Sequence, residues 1–78
     1  MYYERILCVL PESVRCDIID ICEGTIDGRR VLRVTLDRLL KDHEKDVMRS
    51  CKRIQNIENR CCYRYAKEIE KSYFYIKL

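Results

Sequence analysis

The residues of this chain best equipped for chemistry crowd into one stretch, "NRCCYRYAKE" at residues 59 to 68, where two adjacent cysteines sit among arginines and tyrosines. Three uses compete for such a stretch: a reactive or metal-binding thiol pair, a cationic and aromatic grip on nucleic acid, or packing. The six cysteines, Cys8, Cys16, Cys22, Cys51, Cys61 and Cys62, include no CxxC pair, and one histidine accompanies them, so zinc-ribbon and zinc-finger spacings are absent. Cys51 and Cys61 leave nine residues between them, as in one arm of a twin CX9C protein, but the second arm is missing. On a helix, neighbouring residues diverge by about 100°, so Cys61 and Cys62 cannot jointly hold a metal there. Packing is the preferred reading, because free cysteine behaves as a small buried hydrophobe. A thiol activated by Arg60 or Arg64 is the redox alternative.

The cations carry more information than the thiols. In residues 49 to 67, Arg49, Lys52, Arg53, Arg60, Arg64 and Lys67 oppose Glu58 alone, a net charge of +5, with Tyr63 and Tyr65 interleaved. Phosphate attraction gives non-specific affinity and aromatic faces stack bases. Arg49, Arg53, Arg60, Arg64 and Lys67, with Tyr63 or Tyr65, are therefore candidate nucleic-acid contacts. A protein-contact or solvated face has the same composition. Arg29, Arg30 and Arg33 extend a basic surface if the fold brings them near; otherwise they are charges that protect a strand edge. Residues 1 to 28 carry two basic and six acidic side chains, net −4, and residues 29 to 78 carry fourteen and seven, net +7. That asymmetry suits a basic face meeting phosphate or an acidic protein, or two halves attracting each other across a dimer.

Catalysis finds little support. There is no phosphate-cradling glycine loop, no G-x-S-x-G and no zinc-hydrolase motif. His43, the only histidine, falls between Leu40 and Val47 and reads as a packed or interface residue. The expectation is a non-enzyme without cofactor, metal or small-molecule substrate.

The elements that position these residues must come from 78 residues with 47% hydrophobic and 37% charged side chains, read as a single domain over 1 to 78. A chain of this size buries only about 60% of the surface its unfolded form exposes, so self-association or a partner is an expected source of support. The longest apolar run, Ile6 to Leu10, falls far short of a membrane span. Nothing targets the chain to a membrane or for secretion, so the expected setting is intracellular, cytoplasm or nucleus, with reduced cysteines.

Asp27-Gly28 predicts a type I′ hairpin. Pairing outward from it sets Ile21 opposite Val34, Ile19 opposite Leu36, Cys22 opposite Arg33 and Asp20 opposite Thr35, giving one apolar and one mixed face. The rival reading is a helix starting at Pro11, with Val14, Ile18, Ile21 and Cys22 on one side and Gly24 as its cap. Tyr3 to Leu10 reads as a further strand, with Pro11-Glu12-Ser13 as a turn.

From Leu36 onward, apolar or semi-apolar residues fall at Leu36, Leu40, His43, Val47, Cys51, Ile54, Ile57, Cys61, Tyr65, Ile69, Tyr73 and Ile76. Eleven steps span forty residues, about 3.6 per step, the α-helical period. This predicts a long amphipathic helix over 37–71, with Asn56 and Asn59 as its weakest points and 72–78 as a β-prone tail. Such a helix would run roughly 50 Å, longer than a globule of this size is wide.

The expected architecture is thus α+β: a hairpin or three-stranded meander within 1–36, then the long helix. An all-α protein is the alternative. The expected function is a non-catalytic interaction module that self-associates, or meets another protein, through Leu40, Val47, Ile54, Ile57, Cys61, Tyr65 and Ile69. A nucleic-acid-binding homodimer using the basic helix face is the runner-up. The stretch "IDICEGTIDGRRVLRVTL" followed by a helix resembles in outline the hairpin-plus-helix end of small dimeric β-sheet modules, some of which bind single-stranded DNA; the likeness is one of topology, and no functional residue is carried over.

Overall fold

The Asp27-Gly28 turn forms as its sequence demands, with φ of 52° and 77° at the two residues. In the computed structural model, which describes residues 3 to 78, it joins β1 (Ile18–Ile26) to β2 (Arg29–Leu36). The register sets Ile21 against Val34, Cys22 against Arg33 and Asp20 against Thr35, as the turn predicts. A bulge between Ile18 and Asp20 then places Ile18, not Ile19, opposite Leu36.

The long helix over 37–71 does not form. Its span holds α3 (Asp42–Arg49), β3 (Ile54–Arg64) and the start of β4 (Lys67–Lys77). The 3.6-residue stripe existed only because His43, Cys51, Cys61 and Tyr65 were allowed to count as apolar. Once past Arg53, the chain is rich in β-branched and aromatic residues, and period-two alternation governs: Ser72, Phe74 and Ile76 are buried while Tyr73 and Tyr75 are half-buried on the opposite side. Two further features end any helix. Asn56 has a positive φ of 54° within a bulge, and Tyr65 and Ala66, at 53° and 59°, make a tight turn.

The N-terminal strand expectation also fails. Glu4–Leu7 is helical (α1), and Glu12–Cys16 is a second short helix (α2) preceded by Pro11. The reason is visible in the side chains that reach the core: Tyr3, Ile6, Leu7, Val9, Leu10 and Val14 are linked by steps of three and four, a helical pattern rather than an alternating one. The rival helix reading from Pro11 is met as far as Cys16, after which β1 takes over.

The four strands form one antiparallel sheet in the order β1-β2-β4-β3, so the last strand in sequence is central in space. Leu32, Val34, Leu36, Ile54, Phe74 and Ile76 share one face of it. Leu10, Val14, Leu40 and Met48 from the helices and connections cover that face and complete the core. The helix-covered side is tied by polar groups as well. Glu44, only 1% exposed, accepts hydrogen bonds from Arg38 Nη1 and Nη2 at 2.8 Å each, from Ser13 Oγ at 2.7 Å and from the Lys41 amide at 2.8 Å. Arg38 Nε reaches Asp17 at 2.6 Å, so one ion cluster binds α2, the β2–α3 connection and α3 together. Asn59 clamps the same connection to β3: its Oδ1 accepts from the Leu40 amide at 2.9 Å and its Nδ2 donates to the Leu40 carbonyl at 3.1 Å.

Among the described residues, no helix is long and apolar enough to cross a membrane.

Candidate nucleic-acid interface

Among the described residues, no helix covers the second face of the sheet. Alternation and register decide what it shows: Asp20, Cys22 and Ile26 from β1, Arg29, Arg33 and Thr35 from β2 with Val31 buried between its neighbours, Lys67, Ile69, Lys71, Tyr73, Tyr75 and Lys77 from β4, and Gln55, Glu58, Arg60, Cys62 and Arg64 from β3. Seven cations, Arg29, Arg33, Arg60, Arg64, Lys67, Lys71 and Lys77, thus share this face with three carboxylates, Asp20, Glu58 and, at the hairpin end beside Arg29 and Lys77, Asp27. One carboxylate is already engaged. Glu58 Oε2 accepts a 2.6 Å hydrogen bond from the Tyr73 hydroxyl and lies 3.4 Å from Arg60 Nε. The Tyr73 hydroxyl, and after it the Arg60 charge, hold the Glu58 carboxyl below its ordinary range; the same bond pushes the Tyr73 phenol up.

Tyr73 organises the centre of the face. The guanidinium carbons of Arg33 and Arg60 lie 5.2 and 5.3 Å from its ring centroid, within cation–π range. Arg33 belongs to β2 and Arg60 to β3, the neighbours of β4 on either side, so the ring is flanked by cations from both strands. Around it, Ile19, Asp20, Thr35, Cys62, Ile69 and Lys71 complete a shallow concavity of about 310 Å³. It brings two planar guanidiniums, a shape that matches phosphate oxygens, beside an aliphatic rim and the Asp20 carboxylate.

Beyond Ser72 the sheet narrows. β2 pairs with β4 only from Val31–Lys77 to Leu36–Ser72, while β3 and β4 continue together to Arg64–Lys67. Residues 60 to 71 therefore form a two-stranded arm with no third strand beside them. Charge is sorted across its two sides. Arg60, Arg64, Lys67 and Lys71 lie on the open-face side with Cys62 and Ile69; Cys61, Tyr63, Glu68 and Glu70 lie on the other. At the tip, Tyr65 is 97% exposed.

The sequence-derived site residues are redistributed accordingly. Arg60, Arg64 and Lys67 are brought together on the open face. Arg49 sits at the end of α3 beside Asp46, Arg53 donates to the Lys77 carbonyl at the sheet's far end, and Tyr63 points from the opposite side of the arm. The residues proposed as one apolar interface share no surface: Leu40 and Ile54 are core, Ile57 packs at its margin, Val47 is 53% exposed on α3, Cys61 and Ile69 lie on opposite sides of the arm, and Tyr65 is at its tip. His43 is exposed on α3.

Arg29, Arg30 and Arg33 were expected to extend a basic surface if the fold brought them near; Arg29 and Arg33 lie on the open face, whereas Arg30 is on the opposite side, paired with Glu23. Lys71, Lys77, Tyr73 and Tyr75 were missed. The signal for them is in the segment "KEIEKSYFYIK": odd positions read Lys, Ile, Lys, Tyr, Tyr, Lys, and even positions Glu, Glu, Ser, Phe, Ile, so strand alternation alone separates the basic aromatic face from the acidic and core one.

All six thiols are free, and Cys61 and Cys62 face opposite sides of the arm. Among the described residues, Cys61, Glu68 and Glu70 bring their ligating atoms within 4.8 Å of one another, but all three are exposed. Partial desolvation, then the Glu70 and Glu68 charges, push the Cys61 thiol up, which disfavours the thiolate a metal needs. No family model, curated protein or solved structure matches the chain.

Proposed function

We propose that the protein is a non-catalytic nucleic-acid-binding module whose open sheet face seats the phosphate backbone. The observation that carries this is the pair Arg33 and Arg60, held over the Tyr73 ring from two different strands in a field of seven cations and three carboxylates. Cations placed this way bind phosphates without a prior search through side-chain conformers. A reading as an assembly module working through a long helix falls with that helix. The proposal places the protein inside the cell, in a reducing compartment; six unpaired cysteines support that setting.

The test is titration of a fluorescein-labelled DNA duplex and its isolated strand at ~50 mM salt and upward. The expected result is saturable binding whose logarithm falls linearly with the logarithm of salt, and its loss in Arg33→Glu/Arg60→Glu. Failure of the folded protein to bind either form at the lowest salt would overturn the proposal.

A further inference from the structure

We propose that the β3–β4 arm enters the major groove of B-form DNA, so that the ligand is a duplex rather than a single strand or an RNA helix. This rests on the phosphate-binding reading of the open face and assigns the arm a distinct task within it.

Dimensions come first. Two strands spaced ~4.8 Å apart, with their side chains, fit a groove ~12 Å wide. From Arg60 to Arg64 the arm runs four residues, about 14 Å at ~3.4 Å each, long enough to lie along the groove with its basic side on the floor. The major groove of an RNA helix is too narrow and deep for side chains to read, which excludes that duplex.

Chemistry comes second. The arm's basic side alternates cations with apolar groups, Cys62 on one strand and Ile69 on the other. A surface made only for phosphates has no use for the apolar pair. The major groove offers both partners: guanine O6 and N7 accept from arginine or lysine, and the thymine methyl takes apolar contact. Glu68 and Glu70 are on the reverse side, turned from the groove floor when the basic side faces it.

The tip gives a third, independent observation. A two-residue type I′ turn is ordinarily Asn-Gly or Asp-Gly, as in this chain's own Asp27-Gly28, yet Tyr65 and Ala66 adopt left-handed φ of 53° and 59°. An exposed, bulky ring held at a strained backbone position serves nothing inside the fold, and strain of this kind collects where ligands are met. Tyr65 leads the arm and would meet the bases or far backbone.

The experiment compares affinities for a B-DNA duplex, its isolated strand, an RNA duplex, and a DNA duplex whose cytosines carry glucosylated hydroxymethyl groups that fill the major groove. The folded wild type is expected to prefer the plain DNA duplex by about tenfold or more, the worth of one bidentate base contact. Two variants follow: Arg64→Ala/Ile69→Ala, and a shortened protein in which Asn-Gly joins Arg60 directly to Lys71. Both remove cations and so are expected to weaken binding to every ligand, but the ratio of duplex to single-strand affinity, which is the readout, should fall to about one. Equal affinity for all four ligands, or a preference surviving in the shortened protein or on glucosylated DNA, would overturn groove entry while leaving the phosphate-binding reading intact. No binding to any of the four would overturn both.

Discussion

Arg33 on β2 and Arg60 on β3 each lie just over 5 Å from the centre of one and the same ring, that of Tyr73. A single side chain therefore fixes the spacing of two cations on separate strands. Tyr73→Leu is expected to lower nucleic-acid affinity several-fold by freeing both guanidiniums, each cation–π contact being worth about 0.5–1 kcal/mol at an exposed site. Tyr73→Phe keeps the ring and loses only the bond to Glu58, so its affinity should stay within about twofold. Parallel titrations of the two variants check this; equal losses would assign the effect to the hydroxyl.

The Arg38–Glu44 cluster sets the acid limit of the fold. Hydrogen bonds from Arg38, then from the Lys41 amide and Ser13, hold the Glu44 carboxyl far below its usual range despite the opposing cost of burial. Its folded pKa is thus depressed. The stability it contributes is complete above the unfolded value of ~4.3 and is lost progressively as pH falls from there toward the folded value. Urea midpoints should drop between about pH 5 and pH 3 in the wild type and change less in Glu44→Gln.

Removing the cation instead leaves a carboxylate buried. Arg38→Ala is expected to cost roughly 3 kcal/mol at neutral pH, the lower end for a broken buried pair, because Arg38 itself is partly solvated. Protonation of Glu44 relieves the penalty, so the difference from wild type should shrink in acid. Chemical denaturation at two pH values reads both effects.

Asn59 joins α3's leading connection to the sheet through two bonds to Leu40. Asn59→Ala is expected to destabilise by about 1–2 kcal/mol, and Asn59→Asp by a similar amount, since a carboxylate still accepts from the Leu40 amide but repels the Leu40 carbonyl. Amide exchange at Leu40 should quicken in both.

Ala66→Gly should stabilise the arm by about 0.5–1 kcal/mol, because glycine adopts the left-handed conformation without a Cβ clash. The readout is the urea midpoint. An unchanged midpoint would show that the turn carries no strain.

What was legible in the sequence was local. Asp27-Gly28 announced its own turn and, through it, three of the cross-strand pairs; the β-prone tail from Ser72 is a strand. What failed was the choice between two periods. A stripe built on His43, Cys51 and Tyr65 is weak evidence, because these residues sit equally well exposed, as His43 and Tyr65 do here. A roughly 50 Å helix was also irreconcilable with a molecule whose longest dimension is 38 Å. The open-face site was half visible. Arg60, Arg64 and Lys67 were identified by charge density alone, whereas Tyr73 and Lys71 needed the strand alternation that the helix reading concealed. Arg33, forty residues earlier than Tyr73, needed the β2–β4 register, which is tertiary information.

The strand order has a consequence for how the protein is made. The β1–β2 hairpin is complete as soon as Leu36 has left the ribosome, but β3 then emerges with nothing to pair with, and it stays so until β4 follows and slides between it and β2. Phe74 and Ile76, which the core cannot close without, are among the last of the core residues to be synthesised. Nascent chains stalled before Lys67 should therefore hold a hairpin and a loose tether rather than half a domain, with Leu32, Val34 and Leu36 open to chaperones.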